Sequence, residues 1–101
     1  MQDWQYEVAD AARVEEFLIY YENNCLSLNE KITLMELILE SYNDYVTGNS
    51  ENPVVSERLC QVLQKESKLF SNTIEYWSCG NDDLEDCFAI TPLVRKVKAG
   101  L

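Results

Sequence analysis

SLNEKITLMELILESYNDYVTG, residues 27–48, reads as a helix with both of its ends marked. Ser27 and Glu30 stand in the S-x-x-E spacing of a capping box, in which a serine oxygen and a glutamate carboxylate each satisfy an amide that the first turn leaves without a partner. From Leu28 onward, Ile32, Met35, Ile38, Leu39, Tyr42 and Val46 recur at helical spacing, and Gly48 is a favoured residue for the stop. Leu34 and Leu37 widen the apolar stripe almost all round, so this is expected to be the central helix, intolerant of Leu34→Asp or Leu37→Asp.

The flanking segments repeat the pattern. Val14, Phe17, Leu18 and Tyr21 form a stripe that predicts a helix over about 10–23, with Asp10 as its cap. Trp4, Tyr6 and Val8 fit either an extension of that helix or a short strand. Beyond the polar loop 48–52, Asn52-Pro53 places a capping residue before a proline at the first helical position. Val55, Leu59, Val62, Phe70, Ile74 and Trp77 then keep helical spacing to Gly80. Ser67 and Ser71 are the candidate breaks, and two helices are expected, because one unbroken run would exceed the usual length. Asp82 to Glu85 has a D-x-x-E spacing that suits a short helix start, and Phe88 to Thr91 could be extended. Thr91-Pro92 repeats the cap-plus-proline device, and Leu93, Val94 and Val97 carry a last helix to Gly100. The expected fold is all-α, about five helices in a small bundle or array, with residues 1–101 as a single domain.

Eighteen acidic residues against eight basic ones leave a net charge of −10. Residues 1–93 hold all the acids and five of the bases, a balance of −13, and the last eight residues add Arg95, Lys96 and Lys98 for +3. A body charged to this degree repels phosphate and attracts basic surfaces over long range, so no direct nucleic-acid ligand is expected. Neither a secretion signal nor a stretch apolar enough to span a membrane is visible, and the expected compartment is the cytoplasm. Cys25, Cys60, Cys79 and Cys87 form no C-x-x-C pair and are expected to be reduced thiols, small hydrophobes rather than ligands.

Histidine is absent, which removes the commonest general base, and Gly48, Gly80 and Gly100 stand too far apart for a phosphate loop. No catalytic residue, metal site or cofactor is therefore expected. Carboxylates could still hold Mg²⁺ at two places. Glu36, Glu40 and Asp44, spaced i, i+4, i+8, read more simply as a solvated helix face. Asp82, Asp83 and Asp86 are similar to the metal box of terpene synthases, but those enzymes are several-fold longer, and capping accounts for these acids.

Tyrosine is the other unusual group. Tyr20, Tyr45 and Tyr76 fall off the stripes and lie beside Glu22, Asp44 and Glu75, and these six residues are the candidate partner-binding set. Tyrosines among carboxylates suit the reception of a basic protein, since the rings supply contact area at low entropic cost and the acids supply steering.

A small, strongly acidic, helical chain with Tyr20-Tyr21-Glu22 resembles the bacterial immunity proteins that neutralise basic nuclease toxins, of the colicin and contact-dependent inhibition types. The colicin immunity proteins present a tyrosine pair after their second helix, whereas this pair lies within the first. The resemblance implies an inhibitor of a basic, nuclease-type toxin. Three other readings use the same features: a helical adaptor that takes a partner in an apolar groove, a phage-type inhibitor or DNA mimic, and a Mg²⁺-dependent hydrolase.

Overall fold

The computed structural model describes residues 11–48, 51–80 and 87–101. Those residues contain five α-helices and no strand: α1 Ala11–Asn23, α2 Leu28–Gly48, α3 Pro53–Lys65, α4 Ser71–Ser78 and α5 Thr91–Ala99. Asp10, the N-terminal aromatics, and Asp82 to Asp86 lie outside the described residues. Among the described residues no helix is long and apolar enough to cross a membrane.

The starts and stops follow local chemistry. The amide of Ser27 donates to Glu30 Oε1 at 2.9 Å and the amide of Glu30 to Ser27 Oγ at 3.2 Å, which is the reciprocal capping box read from the sequence. Hydrogen bonding to the carboxylate from Ser27, from its amide first and then from its side chain, holds the Glu30 carboxyl below its ordinary range. Asn52 Oδ1 accepts from the amides of Val54 and Val55 at 3.0 and 3.2 Å, and Pro53 opens α3 without wasting a donor. Between α3 and α4 the chain turns without leaving its hydrogen-bonding rhythm, since Glu66 bonds back to Val62, Phe70 to Glu66 and Ile74 to Phe70. That turn buries Phe70 completely, so a bend replaces a single long helix.

One core joins the helices. Val14, Leu18 and Tyr21 from α1 meet Met35, Ile38, Leu39 and Tyr42 from α2, and the buried faces of α3, α4 and α5 complete the cluster around Phe70 and Ile90. Helix α1 packs against α2 and α3, and α5 packs against α3 and α4. Each aliphatic or aromatic side chain buried to this extent stabilises by about 1.5–3 kcal/mol. Polar pins then fix the helix ends. The Tyr42 hydroxyl, fully inside, pairs with Ser56 Oγ at 2.6 Å and accepts from the Asn52 amide at 2.9 Å. Asn43 Oδ1 accepts from the amide of Ile90 at 3.2 Å and so ties α2 to the start of α5.

Four expectations are corrected. Leu37 is 46% exposed and α2 keeps a solvent face, because its buried residues are Met35, Ile38, Leu39, Ser41 and Tyr42. Thr91 does not cap α5. Its hydroxyl is buried, accepts from the Phe88 amide at 3.0 Å and donates to the Trp77 carbonyl at 2.9 Å, because a tertiary acceptor lies within reach. Residues 87–90 form a bend and turn, not an extended run. Finally, Cys79 and Cys87 are joined in a disulfide, which leaves Cys25 exposed and Cys60 half-buried as free thiols.

Candidate functional site

The outer face of α2 carries Glu36, Glu40, Asn43 and Asp44 along successive turns, because residues spaced by three and four share a helix face. Opposite them stand Tyr76 and Trp77 from the end of α4, with Phe88 just before α5. Together they line a cleft of about 470 Å³. Its two sides differ in kind, one acidic and one aromatic.

The aromatic side is a packed trio. Trp77 and Phe88 lie 4.4 Å apart by ring centroids, Tyr76 and Phe88 5.3 Å, and Tyr76 meets Trp77 edge-on at 5.5 Å. Such pairs add about 0.5–1.5 kcal/mol beyond their burial. Trp77 is nearly buried, whereas Tyr76 is 63% exposed. The trio is held from behind. Thr91 bonds both the Trp77 carbonyl and the Phe88 amide, the Cys79–Cys87 bridge joins the two segments covalently, and Arg95 Nε donates to the Ser78 carbonyl at 2.8 Å. Arg95 thereby satisfies the carbonyl end of α4, where a cation is favoured. At that end Cys79 takes a left-handed conformation, φ 63°, which side-chain-bearing residues seldom adopt, and Gly80 follows it at φ 56°.

The acidic side is uncompensated. The ion pairs among the described residues are Lys31–Glu66 at 2.9 Å, Arg58–Glu22 and Lys98–Glu75 at 2.8 Å. None involves Glu36, Glu40 or Asp44, and no lysine or arginine lines the cleft. The recess beside Tyr21 holds Glu22 and Glu66, but also Lys31 and Lys65.

Of the six residues expected to bind a partner, the structure brings Asp44 and Tyr76 into this one cleft. Glu75 is adjacent in sequence, yet it is turned to Lys98. Tyr45 is half-buried and stacked on Tyr42, with ring centroids 6.0 Å apart and planes 11° from parallel. Glu22 pairs with Arg58 across to α3. Tyr20, 54% exposed, lines a separate shallow groove with Leu26, Leu34 and Leu37. The six therefore do not form one patch. Glu36 and Glu40 were legible as a shared face but not as a site, and the places of Trp77 and Phe88 depend on tertiary pins with no local signature.

Comparison with protein-family models, with curated proteins and with solved structures returned no match. Chemistry must therefore be argued from the cleft itself. Among the described residues no group of three His, Cys, Asp or Glu is placed to hold a metal ion. The carboxylates come from a single helix face and do not converge.

Proposed function

We propose that this chain is a protein-binding inhibitor of the immunity or antitoxin kind, which receives a basic, nuclease-type partner on an acidic, tyrosine-bearing surface and catalyses nothing itself. One observation carries the reading: three carboxylates without a cation, Glu36, Glu40 and Asp44, face the exposed ring of Tyr76 across a cleft. Unpaired acids draw a positive surface in by long-range steering, and a ring packed on Trp77 and Phe88 supplies contact area without much further ordering. A nuclease must be positive where it grips phosphate, so the net charge of −10 supports the same partner class and disfavours direct nucleic-acid binding.

The test is kinetic. With the partner copurified from the native host, association should slow about tenfold or more between low and physiological salt, because charges are screened beyond about 8 Å at 0.15 M. Asp44→Asn should act on association, and Tyr76→Ala on dissociation. An acidic partner, or association indifferent to salt, would overturn the proposal. The adaptor reading would then gain, since the groove of Tyr20, Leu26, Leu34 and Leu37 is mainly apolar. In that case Leu37→Asp would abolish binding while Tyr76→Ala left it intact.

A further inference from the structure

We infer that the cleft between α2 and the Tyr76–Trp77–Phe88 trio is a receptor for one arginine side chain presented by the partner. The inference rests on the basic-partner reading above and narrows it to a single group. A guanidinium has two kinds of surface: flat faces that stack on aromatic rings, and an edge of N–H donors arranged as a fork that suits carboxylates. The cleft offers both kinds, on opposite sides. Tyr76 and Phe88 supply ring surface, and Glu36, Glu40 and Asp44 supply acceptors over two turns of one helix.

Charge complementarity decides the occupant. Five of the chain's eight lysines and arginines are engaged elsewhere: Lys31, Arg58 and Lys98 in ion pairs, Arg95 on the Ser78 carbonyl, and Arg13 over the ring of Phe17 at 5.8 Å. None of them enters the cleft. An apolar side chain there would leave three carboxylates unanswered, and a lysine would answer the charge but would use neither the fork nor the stacking plane. The other acidic recess, beside Tyr21, already contains Lys31 and Lys65 and lacks such a need. The trio is also built before any partner arrives, held by the Thr91 bonds and the Cys79–Cys87 bridge.

The experiment titrates the full-length protein with three peptides of one sequence, Gly-Gly-X-Gly-Gly with blocked ends, where X is arginine, lysine or citrulline. Ring and indole resonances are followed by NMR. Citrulline keeps the shape of arginine without its charge. The arginine peptide should move the signals of Tyr76, Trp77 and Phe88 in preference to those of Tyr20 and Tyr45, and should bind at least threefold tighter than the lysine peptide. Citrulline should bind at least tenfold more weakly. Tyr76→Ala, at an exposed position that leaves the core intact, should weaken arginine binding about three- to fivefold. Glu40→Gln should weaken it by a similar factor. If arginine and lysine bind equally, with shifts spread over the acidic surface, the receptor site is refuted while the basic-partner reading stands. If neither charged peptide binds better than citrulline, both fall.

Discussion

Removing one oxygen from the middle of the protein should cost more than its size suggests. Tyr42→Phe keeps the ring and opens no cavity, so the whole effect is polar. The hydroxyl is buried between α2 and the start of α3, with Ser56 Oγ at 2.6 Å, the Asn52 amide at 2.9 Å and the Asn52 carbonyl at 3.1 Å. Ser56 keeps a second partner, because its own hydroxyl donates to Glu51 Oε1 at 2.9 Å. The loss there is one net hydrogen bond, about 1 kcal/mol. The half-buried Asn52 amide loses its acceptor, which adds about 1–2 kcal/mol for a donor left unmatched. The sum of about 2–3 kcal/mol is a large share of the total stability of a domain this size, and it should lower Tm by roughly 10–20 °C. Urea unfolding followed by far-ultraviolet dichroism measures it directly. Tyr20→Phe, at an exposed hydroxyl, is the matched control and should change stability by less than about 0.5 kcal/mol. A loss below that same figure for Tyr42→Phe would refute the reasoning and mean that α3 is not anchored through this phenol.

Four further outcomes are expected. Burial works to raise the carboxyl pKa of Glu66, but bonds from the Tyr21 hydroxyl and Lys31, and the charges of Lys31 and Lys65, outweigh it and leave the value lowered. Its contribution is therefore present above the unfolded value of about 4.3 and is lost as pH falls through the folded one, so Glu66→Gln should flatten the acid limb of the urea midpoint against pH. The Tyr21 phenol is pushed the other way, by burial first and then by Glu66, so its contribution holds below about pH 10 and fades above it. Thiol titration should count two groups in the unfolded, unreduced chain and four after reduction. In the folded protein Cys25 should react before Cys60, whose thiol burial pushes up. Four groups without reductant would exclude the bridge. Lastly, Leu37→Asp should change stability by less than about 1 kcal/mol, while Met35→Asp, inside the core, should unfold the chain; equal effects in dichroism would mean that the phase of α2 is wrong.

The parts of this fold that were legible in sequence are those whose physics is local. The Ser27–Glu30 box and the Asn52-Pro53 start each close within three residues, so spacing alone identifies them. The inward stripe of α2 followed from its period, yet Leu37 was misplaced because a wide stripe hides its own centre, and only packing against α1 shows which side faces water. Thr91 was read as a cap because the preference of threonine before proline is local, whereas the acceptor it found belongs to Trp77, fourteen residues away. The Cys79–Cys87 pair has no spacing motif, and its closure depends on the left-handed turn at Cys79 and Gly80. The cleft was half visible for the same reason. The acids of α2 share a face by helix geometry, but the rings opposite come from residues more than 30 positions further along the chain.

The bridge divides the chain in a way that bears on how such a protein can vary. With the ends of the intervening segment fixed at a Cα separation of 5.9 Å, residues 80–86 form a cassette spliced into a closed ring. Because closure entropy grows slowly with loop length, this segment, which carries four acids, could be extended at only a slight entropic penalty. A single cut within it would leave both pieces covalently joined.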